Sequence, residues 1–191
     1  MARKRHAFRL VLPISEVKPP MRSIAYSTPR VLLHWIFALV IIWATVSGFG
    51  NAMLDLPDAL SDGINFINVS LTAVLIPLFA LRIYFTLAHP LAHAPDEGNQ
   101  VLVKAGHLGL YVMTALVLVT GVLMMERPIN VFSLALIPQP LAEPLLTGFF
   151  NTVHKACCVV LALLVVGHIG AVAVHHCNGH KLLQRMSLRR A

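Results

Sequence analysis

Four runs of apolar residues, each close to the length that carries a helix across a lipid bilayer, leave this chain few ways to fold. Val31 to Leu54 has His34 as its only ionisable side chain, Ile64 to Leu87 has Arg82 as its only charge, Leu108 to Met125 has no charge, and Ala156 to Val174 has one imidazole, His168. A bilayer core of roughly 30 Å takes about 20 mostly apolar helical residues. A helix is also the form in which such a run satisfies all its own backbone hydrogen bonds without water. Composition agrees: 57% of the 191 residues are hydrophobic and 12% charged, against about 25% charged in a soluble domain. The expected fold is an all-α membrane protein, a four-transmembrane-helix bundle over residues 27–176. Basic tails at 1–26 and 177–191 flank it.

A fifth apolar region, Val131 to Phe150, is broken by Pro138, Pro140, Glu143 and Pro144. In lipid those prolines would strand backbone groups, so the region reads as an outer loop lying along the interface. Pro77, inside the second run, is tolerable because neighbouring helices can satisfy the freed carbonyl. At Ser27-Thr28-Pro29 a hydroxyl at the cap and a proline in the first turn mark a helix start.

Charge sets the expected orientation. Arg3, Lys4, Arg5, Arg9, Lys18, Arg22 and Arg30 precede the first run, and Lys181, Arg185, Arg189 and Arg190 follow the fourth. The connection between the first two runs holds Asp55, Asp58 and Asp62 and no basic residue. The positive-inside rule then puts both termini in the cytoplasm of a bacterial inner membrane protein. The net charge of +7 is an orientation signal and an attraction to anionic lipid heads, not a nucleic-acid surface, because no basic folded face is apparent. Arg9 breaks the apolar stretch Phe8 to Ile14 and no small-residue cleavage site follows, so the first residues read as a tail and not as a targeting signal. Cys157, Cys158 and Cys177 show no C-x-x-C spacing and read as small buried side chains.

Histidine placement carries the chemistry. His154 and His168 are fourteen residues apart; at about 100° per residue they return to one side of a helix within roughly 40°, and at 1.5 Å rise they are about 21 Å apart. Short-looped antiparallel helices bring the start of the first run beside the end of the fourth, so His34 approaches His168. Two imidazoles on facing helices can clamp a flat iron porphyrin. Gly167 and Gly170 flank His168, and bare backbone lets a wide ring or another helix come close. Each residue also has a plainer reading. His34 alone is a wet interfacial ring, and His107 is an interfacial residue or a group for proton exchange or propionate contact. Arg82 snorkels to lipid heads or holds a haem propionate. His6, His89, His93 and His180 read as solvated.

The stretch Ser27-Thr28-Pro29-Arg30-Val31-Leu32-Leu33-His34-Trp35 resembles the opening of bacterial cytochrome b561, the group that shares its domain with the b-type cytochrome subunits of nickel hydrogenases. Three further pieces match in order. They are Ile64 to Ser70 with Arg82 downstream, Gly106-His107-Leu108 ahead of Gly121 to Met125, and Val153-His154 followed by Gly167-His168 and His175-His176. The resemblance covers roughly residues 26 to 186.

What the resemblance implies is a four-helix membrane cytochrome with two b haems that exchanges single electrons with the membrane quinone pool. His34 and His168 would ligate the inner haem iron, and His154 would be one ligand of an outer haem. In the family the fourth ligand comes from the start of the second helix, where this chain has Asn68. An amide oxygen is a weak, hard ligand that does not replace imidazole on low-spin iron. The outer haem is then either held by His154 alone or missing. A relative in the family oxidises superoxide on the outer side, but Asp55, Asp58, Asp62, Glu126 and Glu143 here outnumber Arg127 and Lys155 in the outer connections and would repel that anion. His175, and after it His176, are the expected proton donors to quinone at the cytoplasmic boundary. Two other classes fit the residues: a haem-bearing anchor subunit serving a separate dehydrogenase or hydrogenase as redox partner, and a haem-free histidine-lined proton or metal carrier.

Overall fold

The computed structural model describes residues 27–88 and 100–179. The tails expected at 1–26 and beyond 179, with His6, His89, His93 and His180, lie outside the described residues. Four long helices account for most of what remains: α1 (Thr28–Met53), α2 (Asp58–Ala88), α3 (Gln100–Leu123) and α4 (Pro144–Cys177). All four are apolar and long enough to cross a membrane. They run up and down, α1 packed along α2 and α3 closely along α4, with α2 also leaning on α3. The centre of the packing is a cluster of Phe37, Leu75, Phe79 and Leu118, joined by Tyr111. Large apolar side chains such as Leu39, Val46, Leu163 and Val166 are about two-thirds exposed. On a membrane bundle that is the surface offered to lipid, and here it clothes every helix.

Local sequence explains the helix ends, with three corrections to expectation. Ser27 does occupy the cap position of α1, with proline in the first turn, but its side chain makes no capping bond. The backbone carbonyl of Ser27 instead receives the N–H groups of Arg30 and Val31. The third helix begins at Gln100, so His107 lies two turns inside it rather than at its start. The fourth begins at Pro144, so the last residues of the stretch expected as an interfacial loop are helical. Pro144 stands in the first turn, where its missing N–H has no intrahelical partner to lose, and so it starts a helix as readily as it breaks one. Pro77 sits inside α2, which continues through it.

The remainder of that stretch is a small antiparallel hairpin, β1 (Ile129–Val131) and β2 (Ala135–Ile137), with Ile129 opposite Ile137 and Val131 opposite Ala135. Its turn places Phe132 at φ 49° and Ser133 at φ 58°, a left-handed conformation costing roughly 1–2 kcal/mol for each non-glycine residue. Packing against α2 holds it there. Ser70, fully buried in α2, donates its hydroxyl to Asn130 O and accepts the N–H of Phe132 at 3.0 Å, while Asn130 Oδ1 accepts the N–H of Ser133. The ring of Phe132 also meets Phe66 edge to face. The bundle thus has two unlike ends: a terminal end, where α1 begins and α4 finishes, and a hairpin end.

Candidate functional site

At the terminal end the fold brings His34 of α1 and His168 of α4 together, with ring centres 6.5 Å apart and planes at 65°. Two imidazoles sharing one metal atom through bonds of about 2 Å have ring centres roughly 6 Å apart. His107 of α3, expected at a span boundary, also packs on His168, with ring centres 5.5 Å apart. Rings from three helices therefore meet at His168. His107 donates Nδ1–H to Val103 O at 2.8 Å. That bond fixes the tautomer and leaves Nε2 with its lone pair on an exposed ring. Among the described residues His168 has ring contacts and no hydrogen bond.

Arg82 closes the site. It is half-buried near the end of α2 and does not reach away from the bundle as a snorkelling side chain would. Nη2 donates to His34 Nδ1 at 3.4 Å, Nη1 to Leu33 O at 3.4 Å, and Nε to the hydroxyl of Tyr111 at 3.1 Å. Its guanidinium carbon lies 5.3 Å from the ring centres of both Phe37 and Tyr111. Thr86 donates its hydroxyl to Arg82 O, so the Tyr111 hydroxyl, already accepting from Arg82, donates to Thr86 Oγ1. The arginine is held in place by a closed ring of bonds. Among the described residues no carboxylate pairs with it, and an arginine inside a membrane segment without a counter-charge is costly. The site has positions for two nitrogen donors and a positive charge that an anionic group would balance.

The donor set fits a haem here in two respects: the spacing of the imidazoles, and a guanidinium within reach of one of them. One contact must change. A ring that accepts from Arg82 at Nδ1 carries its proton on Nε2, so ligation through Nε2 requires the long 3.4 Å contact to be released. Release frees the guanidinium for a carboxylate. No group of three or more His, Cys, Asp and Glu side chains is gathered for a metal ion among the described residues, so the two-imidazole arrangement is what the bundle offers. Gly167 and Gly170, beside His168, face open space. His175 lies two turns further along α4.

At the hairpin end the expected residues are placed differently. His154 lies within α4, ten residues from its start, and packs on α3. Thr120 donates its hydroxyl to Leu116 O at 2.6 Å and therefore accepts Nδ1–H of His154 at 3.1 Å. The other ring nitrogen, Nε2, receives the thiol of Cys158 at 3.4 Å. Asn68, at the position where a fourth ligand was expected, accepts the hydroxyl of Ser47 at 3.0 Å. Sequence reasoning missed the Ser47–Asn68 bond between α1 and α2, and Thr120, Tyr111 and Thr86. Their only sequence signal was a polar residue within an apolar run.

A comparison with protein-family models finds that residues 25–187 match that of prokaryotic cytochrome b561. No curated protein matches the chain.

Proposed function

The chain belongs to the prokaryotic cytochrome b561 family, and from that premise we propose that it is a quinone-linked electron carrier whose haem is held at the terminal end by His34 and His168. The family makes it a multi-pass bacterial membrane protein, a b-type cytochrome in electron transfer. The observation that carries the finer reading is the imidazole pair across α1 and α4, 6.5 Å between ring centres, beside the guanidinium of Arg82.

Bound there, haem b supplies a one-electron iron couple. The protein does the rest. His34 and His168 would hold the iron through their ring nitrogens, a ligand pair suited to electron transfer and not to binding oxygen. Arg82, anchored by Tyr111 and Thr86, would pair with an anionic group of the haem. Phe37, Phe79 and Leu118 exclude water from the hairpin side of the site. A quinone taking up electrons also needs protons, and two imidazoles are placed to move them: His107 at its Nε2, and His175 nearer the end of α4. The basic residues flanking α1 and α4 support, by the positive-inside rule, a cytoplasmic side for this end of the bundle and with it for proton exchange.

The test is spectroscopic. Purified protein should give the reduced-minus-oxidised spectrum of a low-spin, bis-imidazole b haem and should be reduced on adding a quinol. His34→Ala and His168→Ala should each lose that chromophore. A six-coordinate spectrum surviving in either variant would remove the ligand assignment, and a haem that quinol cannot reduce would remove the link to quinone.

A further inference from the structure

We infer that this chain carries one haem only, and that its hairpin half is a haem-free bundle in which the chain's own polar side chains occupy each other. Electrons then enter and leave at the same end. The inference rests on the terminal-end haem proposed above and concerns the half that reading leaves unassigned.

Three observations point the same way. The first is the donor set. The second helix offers Asn68 in place of a fourth imidazole, and its amide oxygen, a poor ligand for low-spin iron, is engaged by Ser47. One turn along, Asn51 Nδ2 donates to Asn65 Oδ1 at 3.1 Å. Ser47 and Asn51 are four residues apart on α1, Asn65 and Asn68 three apart on α2, so each pair shares a helix face. The antiparallel helices meet rung for rung, 47 with 68 and 51 with 65. This is a polar seam of the kind that joins membrane helices to one another, built where the family would place a ligand.

The second observation is the state of His154. Thr120 takes Nδ1–H and Cys158 takes Nε2, so both ring nitrogens are used by the chain. Hydrogen bonding at Nδ1 alone is what orients a ligating histidine. The second bond, from a side chain one turn along the same helix, covers the nitrogen that would face iron. His168 at the terminal end has neither bond.

Thirdly, α3 lies directly on the His154 ring. A Cβ built on Gly121 would stand 3.1 Å from His154 Cε1, closer than ordinary van der Waals contact. The glycine serves the packing of a helix against an imidazole, and not the approach of a porphyrin. The residues at the hairpin end therefore do not fit a second haem.

Between the two ends lies a long gap without an iron centre. His168 is 24 residues from the start of α4, about 36 Å at 1.5 Å per residue, but nine residues, about 14 Å, from its finish. A donor and an acceptor of electrons must both reach the terminal end, which is the place of a carrier working on one membrane face and not of a conduit across it.

The experiment measures haem per polypeptide in the purified full-length protein. Pyridine haemochromogen absorbance is set against quantitative amino-acid analysis, before and after titration with added haem. The expected ratio saturates at one, with one low-spin signal by electron paramagnetic resonance. His154→Ala and Cys158→Ala should keep that ratio, and His168→Ala should bring it to zero. Saturation at two, or a second haem signal of any spin state, overturns the inference while leaving the cytochrome reading intact. So does a single haem lost in His154→Ala and retained in His168→Ala. A wild-type protein that binds no haem at all removes both. Because the wild-type ratio and signal count decide the matter, misfolding of a variant does not blur the result.

Discussion

At the terminal end of the bundle a guanidinium faces imidazoles with no carboxylate paired to it among the described residues, whereas at the hairpin end hydroxyls, amides, a thiol and an imidazole pair off among themselves. Both arrangements lie inside helices that lipid surrounds, where an unmatched polar group is expensive. What differs is where the match comes from. The hairpin end is paired within the chain at all but one point: Ser47 with Asn68, Asn51 Nδ2 with Asn65, His154 with Thr120 and Cys158, Ser70 with the hairpin backbone, and among the described residues only Asn51 Oδ1 is a buried side-chain atom left without a partner. At the terminal end Arg82, His34 and His168 have among the described residues no carboxylate partner, and on the function proposed above a haem would supply the match. A membrane protein thus separates the half that stabilises from the half that binds by deciding which polar groups find partners within the chain.

The comparison can be broken most severely at Ser70. Replacing it with alanine orphans the N–H of Phe132 and the carbonyl of Asn130 beneath a hairpin already in a left-handed turn. Loss of about 2–3 kcal/mol is expected from two unsatisfied groups. Unfolding in mixed micelles should report it, together with faster proteolysis at residues 129–137, while the haem spectrum stays unchanged. A lost spectrum would show that the two ends are one unit.

Gly121→Ala is the next largest test. A methyl 3.1 Å from His154 Cε1 requires the ring to give by a few tenths of an ångström, and because Thr120 and Cys158 hold both its nitrogens the cost expected from overpacking is about 1 kcal/mol. Stability should fall with haem content constant. A drop in haem content would instead tie His154 to the cofactor.

Arg82→Leu addresses the other end. Removing a positive charge beside the iron favours the oxidised state, so the midpoint potential should fall, by on the order of 50 mV, about 1 kcal/mol for one electron. Arg82→Lys should restore most of it. A potentiometric titration that finds the same midpoint in all three proteins would dismiss the propionate contact.

The smallest effect belongs to the polar seam. A double-mutant cycle of Ser47→Ala and Asn68→Ala should give a coupling of about 0.6 kcal/mol, the scale typical of hydrogen bonds between membrane helices. Zero coupling, read from unfolding of the four proteins, would leave the seam as mere proximity.

Sequence alone determined the class of this protein because bilayer thickness imposes a length, and four apolar runs of that length admit little but a helical bundle. It also determined that His34 and His168 share a depth, since helical rise and antiparallel order are arithmetic. Helix boundaries were less legible: Pro144 looks the same whether it breaks a helix or opens one, and only the packing of Thr147 and the residues after it chose the latter. His107 was taken for a boundary residue because the charge-free run begins at Leu108, with Lys104 just before it, yet helical hydrogen bonding continued back to Gln100 and turned its ring onto His168. The partners of Asn68, His154 and Arg82 were decided by the tertiary structure alone. A side-chain hydrogen bond depends on which faces two helices turn to each other, and that rotation is set by packing of all four together, not by the pattern along any one.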